Sequence, residues 1–427
     1  MTFNIVTLGC KVNTYESNVI KDILTNDGYV YTEEIADIYI INTCTVTNTS
    51  DNKSLKMVRQ CIRKNPKAII VVCGCMSQSN TDKLDNVDGI SIIIGNNYKS
   101  QINTLIKEYQ KNKKQIIKVD DIMESGFEDM RLNNFDRTRA FVKIEDGCEN
   151  YCSYCIIPYA RGKVRSKDPK IVFEEVNNLI NNGHQEIVLT GIHTGHYGAD
   201  LTDYDFADLL EELVKIDGLK RLRISSIEIT ELNEKVLNVL KNSNILVDHI
   251  HIPLQSGSNE ILKLMNRKYD KEYFINKINE IRKIRPNMSI TTDLIVGFPG
   301  ETEELFNETL ETINNIKFSK IHVFPFSLRK GTKAEELPNH LSEEIKKQRV
   351  RTILEISREL EKEYFNKFVN QEVEVIFEME KNNFLIGHTG NYLPIKVPKT
   401  IDLNHNINKV KITKVEYPYC IGTILTK

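Results

Sequence analysis

The 427-residue chain has no tryptophan, only 11 prolines and 20 glycines, and nothing near the roughly 18–20 consecutive apolar residues that span a bilayer. These shortages exclude a membrane helix, a collagen-like repeat and a long low-complexity tract. Acidic and basic residues nearly cancel, leaving a formal net charge of −2, so overall charge does not announce a nucleic-acid partner. Any such contact must rest on a local basic surface. The opening MTFNIVTLGC has neither a basic segment nor an apolar stretch of signal-peptide length. A cytoplasmic protein that does not enter the membrane is therefore expected. What the chain does hold is cysteine, nine in all. In a reducing compartment these are metal ligands, nucleophiles or buried thiols rather than a disulfide framework.

The length calls for two or three compact units. Residues 1–113 alternate β-branched runs (Phe3–Leu8, Ala36–Asn42, Ala68–Cys73, Ile90–Ile94) with helical patterns (Tyr15–Asn26, Lys53–Arg63), the mark of a parallel sheet with helices on its faces. Lys111, Lys113 and Lys114 end the last helix, and a polar stretch to about Asn134 reads as a linker. From 134 to 364, six strand–helix units follow, with strands at Ala140–Glu145, Glu186–Thr190, Leu222–Ser226, Asp248–Leu254, Ser289–Val296 and Lys320–Phe326. That repetition predicts a partial or full barrel of the TIM type. A charged helix, Ser342–Phe368, leads into residues 366–427, whose five short runs broken by Asn, Gly and Pro predict a small all-β barrel. The fold class is α/β with this all-β appendage.

Cys148, Cys152 and Cys155 form C-x3-C-x2-C directly after the first strand of the central unit, at the carboxyl end where barrel enzymes place their chemistry. Three thiolates on one short loop suit an iron–sulfur cluster and leave one iron of a 4Fe-4S cube without a protein ligand. A zinc site would want a fourth ligand, and no histidine follows at finger spacing. Cys10, Cys44 and Cys75 are distant in sequence, yet each follows a strand: FNIVTLG, ADIYIINT and AIIVVCG. In an open parallel sheet those ends share one crevice, so the three can hold a second cluster. Gly9 and Gly74 would let the backbone turn tightly beneath it. Cys61, Cys73 and Cys420 read as buried thiols, with Cys73 expected on the other face of its strand.

GCENYCSYCIIPYARG resembles the radical-SAM signature, and the chain is similar throughout its length to the radical-SAM methylthiotransferase family. TLGCKVNTYES around Cys10 is most like the branch, often called MtaB, that acts on N6-threonylcarbamoyladenosine beside the anticodon of tRNA. The isopentenyladenosine branch reads GCQMN there, and the branch modifying a ribosomal-protein aspartate reads GCPKN. The resemblance implies three domains, an N-terminal cluster domain, a radical-SAM core and a C-terminal TRAM domain. It implies two 4Fe-4S clusters and S-adenosylmethionine (SAM). One SAM would be cleaved at the Cys148/Cys152/Cys155 cluster to a 5′-deoxyadenosyl radical. Another would methylate a sulfur at the Cys10/Cys44/Cys75 cluster, before a methylthio group joins C2 of the adenosine. Partners would be tRNA and an electron donor such as flavodoxin or ferredoxin, with the chain acting as a monomer.

Further residues follow from family likeness or local chemistry. Tyr154 matches an aromatic position beside the SAM adenine, or packs in the core. Gly191, Gln255 and Asp293 lie in VLTGIHTGHYG, HIPLQSGS and DLIVGFPGET, which resemble segments lining the SAM cavity; Gly297, Pro299 and Gly300 equally suit a plain turn. His193, His196 and His251 read as ordinary hydrogen-bonded residues. Arg161, Lys163, Arg165 and Lys167 form a basic run that suits a phosphate backbone, or a solvated surface. No catalytic residue beyond the cluster cysteines is assigned.

Overall fold

The computed structural model describes residues 1–133 and 135–425. Asn134, where the central unit was expected to begin, and the last two residues of the expected C-terminal domain lie outside the described residues. Among the described residues no helix is long and apolar enough to cross a membrane.

The N-terminal unit is a six-stranded, all-parallel sheet, with strands β1 (Thr2–Thr7), β2 (Val30–Tyr31), β3 (Ile38–Thr43), β4 (Ile69–Gly74), β5 (Ile92–Ile94) and β6 (Ile116–Lys118) in the order β2-β1-β3-β4-β5-β6. Every residue of β3 and β4 is buried, which is why IYIINT and IIVVCG are almost uninterrupted apolar sequence. β2 and β6 went unforeseen because both are short and lie at the edges of the sheet, where only one face needs apolar residues. Helix Lys11–Asn26 lays Val12, Tyr15, Val19 and Ile20 on one face, and Thr47 caps helix Asn48–Lys64 by accepting from the Ser50 amide.

The stretch after β6 is not a loose linker. Met130, Leu132 and Phe135 are buried in the same core as the sheet and the central unit, and the Met130 carbonyl accepts from Tyr15 Oη at 2.7 Å.

The central unit holds β7 (Arg139–Lys143), the two-residue strands β8 (Glu145–Asp146) and β9 (Arg165–Ser166), then β10 (Glu186–Thr190), β11 (Arg221–Ile224), β12 (His249–His251), β13 (Ser289–Val296) and β14 (Lys320–Pro325). β7, β10 and β11 form one parallel sheet and β12, β13 and β14 another, joined by a bridge between Leu222 and Leu246. Among the described residues β7 and β14 do not pair, so the barrel is a partial one. The N-terminal unit spans its gap, because its first two helices touch the chain both after β7, where Glu16 meets Arg161, and after β14, where Asp51 meets Arg329.

The C-terminal unit is a closed barrel of β15 (Glu372–Lys381), β16 (Phe384–Thr389), β17 (Pro394–Pro398), β18 (Ile407–Glu416) and β19 (Tyr419–Ile424), consistent with the expected TRAM domain. It docks against the amino ends of the central strands, where Arg221 Nη2 donates to the Glu374 carbonyl at 2.9 Å and Arg139 Nη2 to Glu378 at 3.1 Å. Helix Glu343–Asn366 joins the two barrels; it buries Ile353 and Leu360 in the main core and Tyr364 and Phe365 in the core of the small barrel.

Candidate active site

Cys10, Cys44 and Cys75 stand at the carboxyl ends of β1, β3 and β4, three neighbours in register (Thr7 beside Asn42, Thr43 beside Gly74). Cys10 stands at the N-terminus of helix Lys11–Asn26; burial pushes its thiol up, against the lowering effect of Arg161. The glycines beside them are structural requirements. Gly9 and Gly74 have φ of 100° and 98°; a Cβ on Gly74 would lie 2.4 Å from the Thr43 carbonyl oxygen, and one on Gly9 would lie 2.8 Å from Cys44 Cβ. Asn13 ties the loops by donating from Nδ2 to the carbonyls of Leu8 (2.7 Å) and Thr43 (2.9 Å). Cys73 instead sits in the main core, and burial pushes its thiol up to about 12, keeping it protonated.

Cys148, Cys152 and Cys155 share the loop between β8 and helix Ile157–Arg161. Gly147, at φ 91°, admits the Lys163 carbonyl where a Cβ would sit 1.8 Å from it. The Ser153 amide donates to the Met265 carbonyl at 3.0 Å, and the Ser153 carbonyl accepts from the Ala334 amide at 2.8 Å. Burial pushes the Cys155 thiol up to about 12, with Cys152 adding to the effect. All six cysteines are free thiols.

Each triad is met by one buried guanidinium. Arg267 Nη1 lies 3.2 Å from Cys152 Sγ and is held by Glu228 and Tyr269. Arg161 Nε lies 3.2 Å from Cys75 Sγ. Its other nitrogens donate to Glu16 (2.6 Å), Asp146 (3.2 Å) and Asn13 (2.7 Å). Lys99 and Lys143 complete this fully buried network at 2.7 and 3.1 Å from Glu16. Burial alone would raise the Glu16 carboxyl, but Arg161, Lys99 and Lys143 outweigh it and hold it well below the usual range. Four cations, Lys99, Lys143, Arg161 and Arg165, thus share two carboxylates, Glu16 and Asp146, and Arg161 points part of the surplus positive charge at the Cys75 sulfur. This fits an anionic, thiolate-ligated group. An unmetallated pair of neutral thiols would leave the charge without a counterpart.

The expected basic RNA surface is corrected here. Arg161 is fully buried, Arg165 and Lys167 are buried, and of that run only Lys163 is exposed. Lys167 Nζ donates to Glu175 at 2.6 Å. The run turns inward because Glu16, Asp146 and Glu175 wait there, on segments that local sequence does not bring together. The signal that was available lay in Glu16, a carboxylate on the apolar face of its helix, between Tyr15 and Val19.

The remaining expected residues divide. Tyr154 packs edge-on against Phe298 at 6.4 Å within an apolar cluster. Gln255 takes φ 66°, its amide donating to the Asp293 carbonyl at 2.9 Å. Gly191 and Asp293 line a cavity of about 820 Å³ that passes through the open barrel, from Cys10 and Lys11 at one end to Tyr392 and Tyr417 of the small barrel at the other. Asp293 faces His251 there at 3.3 Å. Burial draws the Lys11 ammonium down to about 8, Arg223 and Arg139 pushing the same way. Against expectation, His193 and His196 are more than isolated hydrogen-bonded residues: they stack at 3.9 Å and both reach the Glu231 carboxylate, while His193 Nδ1 lies 3.7 Å from Cys148 Sγ. Burial raises Glu231 to about 7 and lowers His193 to about 4.

Two matches to protein families cover most of the first three-quarters of the chain. Residues 142–313 match the Radical SAM superfamily, and residues 2–95 match an uncharacterized protein family, UPF0004. Among curated relatives, the threonylcarbamoyladenosine tRNA methylthiotransferase MtaB of Bacillus subtilis is 44% identical over 97% of this chain and 94% of its own length. The chain belongs to the radical-SAM tRNA methylthiotransferases. A tRNA-2-methylthio-N(6)-dimethylallyladenosine synthase of Clostridium tetani is 36% identical over 97% of this chain and 94% of its length, so the methylthiotransferase family extends over more than one modified adenosine. Among solved structures, the radical SAM methyltransferase TsrM of Kitasatospora setae, with cobalamin and a [4Fe-4S] cluster bound, shares the fold: TM-score 0.58 at 13% identity, covering 78% of this chain and 76% of that one. In this methylthiotransferase Cys10, Cys44 and Cys75 lie within the UPF0004 match, and the loop with Cys148, Cys152 and Cys155 within the Radical SAM match.

Proposed function

We propose that this methylthiotransferase converts N6-threonylcarbamoyladenosine, next to the anticodon of tRNA, to its 2-methylthio derivative. The observation that carries the reading is the pair of three-cysteine sets, each met by one buried arginine and tied together through Arg161. Cys148, Cys152 and Cys155 would hold the 4Fe-4S cluster that binds SAM, and Cys10, Cys44 and Cys75 the auxiliary 4Fe-4S cluster. When bound, the clusters and SAM supply the electron, the radical and the methylthio group.

The chain's own residues prepare that chemistry. Arg267 and Arg161 offer N–H donors to ligand sulfur, and hydrogen bonds to the sulfurs are one of the levers that set cluster potential. Gly191 leaves room beside the cavity, and Asp293 presents a carboxylate there for SAM or the nucleoside. Tyr154 shapes the apolar wall behind the cysteine loop. Residues 1–113 form the cluster domain, 134–364 the radical-SAM core and 366–427 the RNA-binding domain, with Lys163 the remaining basic contact near the mouth. A stacked adenine must leave the stack for its C2 to reach the interior. A flavodoxin or ferredoxin supplies electrons to a cytoplasmic, monomeric enzyme.

Nucleoside mass spectrometry of tRNA from a deletion strain tests this. The expected result is loss of the methylthio group from threonylcarbamoyladenosine alone. Loss from dimethylallyladenosine instead would refute the substrate. With the purified protein, Cys75→Ser and Cys148→Ser should each lower reconstituted iron from about eight to about four per chain, while Cys73→Ser leaves it unaltered.

A further inference from the structure

The cavity through the barrel has one charged end without a counter-ion. Lys11 lines it beside Cys10, yet among the described residues its ammonium makes neither a hydrogen bond nor an ion pair. Behind the chamber wall, Arg223 is fully buried, with Nη1 and Nη2 lacking any acceptor; Nη1 of Arg139 and of Arg221 lack one too. None of the three lines the cavity, so Arg223 and Arg139 act on Lys11 through their field and add positive potential to its surroundings. The nearby carboxylates are already engaged. Glu186 takes Arg223 at 2.6 Å and Arg221 at 3.6 Å, Glu378 takes Arg139 at 3.1 Å, and Asp293 faces His251. Of the two lysines that line the cavity, Lys320 pairs with Glu361 at 3.0 Å, and Lys11 is left without an ion pair. The ring of Tyr392, 3.9 Å from the Arg223 guanidinium, stands at the opposite end of the cavity, so Lys11 is the charged group at the Cys10 end.

The threonylcarbamoyl substituent differs from a dimethylallyl group in one respect that matters here: it ends in a free carboxylate. We propose that Lys11, backed by Arg223 and Arg139, receives that carboxylate and so determines which N6-modified adenosine this enzyme accepts. The inference rests on the substrate reading above and names the residues that enforce it. Its position next to Cys10 follows the same logic, since the N6 arm must reach into the chamber while C2 stays near the cluster sites. A small uncharged residue at position 11 would leave the substrate carboxylate without a charged partner, whereas arginine keeps the charge.

The test uses the reconstituted holoenzyme without reductant and a fluorescent anticodon stem-loop in two forms. One carries threonylcarbamoyladenosine and the other the same nucleoside with its carboxylate as the methyl ester. The wild-type protein should bind the free acid at least about tenfold more tightly, the scale of one charge-assisted hydrogen bond. In Lys11→Gln the preference should fall below about threefold, and in Lys11→Arg most of it should return. Each protein is compared with itself, so partial loading or misfolding of a variant cancels. A wild-type ratio near one, or a Lys11→Gln ratio equal to the wild type's, overturns the proposal. If the acid is preferred but is not methylthiolated once reductant is added, the substrate reading fails and the carboxylate site stands.

Discussion

Replacing Glu16 by glutamine exchanges one oxygen for an NH2 group in a fully buried site, leaving Lys99 without a carboxylate and Lys143, Arg161 and Arg165 sharing Asp146 alone. Breaking a buried ion pair from one side costs about 3–5 kcal/mol, because the cations stay behind without their partner. With a urea dependence of about 3 kcal/mol per M, the unfolding midpoint should fall by about 1 M or more. The full-length chain has no tryptophan, so far-UV circular dichroism is the natural probe. A second variant separates charge from shape. Adding Lys143→Met removes one cation along with the lost anion, and part of the midpoint should return. The pH profile gives an independent reading. Glu16 titrates well below the usual range in the folded chain, so its contribution is complete above the unfolded value of about 4.3 and drains away as pH falls below it. The wild type should therefore lose more midpoint between about pH 5 and pH 3 than Glu16→Gln does. A midpoint for Glu16→Gln within about 0.3 M of the wild type, with the same pH slope, would refute the reasoning.

Three further outcomes can be checked separately. Gly74→Ala should abolish the auxiliary site, since its Cβ would sit 2.4 Å from the Thr43 oxygen at φ 98°; iron should drop to about four per chain, and retention of about eight would contradict this. Arg329→Met removes donors to Asp51 (3.0 Å), Asn48 (2.9 Å) and Thr45 (2.7 Å), the clamp between the N-terminal unit and the β14 end of the partial barrel, and should cost about 2–4 kcal/mol by urea unfolding. Tyr392→Ala removes the ring held by Arg223 (3.9 Å), Arg139 (4.9 Å) and His249 (4.5 Å), so limited proteolysis should release the small barrel faster, with equal rates counting against the docking role.

The parallel strands were legible because both faces of β3 and β4 are buried and their sequence is accordingly apolar. Three cysteines, each within three residues of a strand's carboxyl end, could be placed on one sheet edge by topology alone. The same logic located the C-x3-C-x2-C loop at a strand end. Charges inside the protein were not legible. Arg161, Arg165 and Lys167 read as a surface because a basic run looks the same whether water or Glu16, Asp146 and Glu175 surrounds it. Met130, Leu132 and Phe135 were hidden for a related reason: they anchor a polar stretch with too few apolar residues to show a period. Lys11 entered only as part of a family fingerprint, and its meaning depended on arginines more than a hundred positions away.

Helix Glu343–Asn366 gives the molecule a fixed span. Its 24 residues extend about 36 Å without a break, rooted in one core at Ile353 and in another at Phe365. A rod seated at both ends cannot shorten or swivel, so whatever the small barrel grips is presented to the chamber at one distance and one angle. Selection of a single nucleoside along a folded RNA then becomes a matter of measurement. Inserting one residue between Ile353 and Phe365 would turn the far end by about a quarter of a revolution, and the grip would address a different part of the loop.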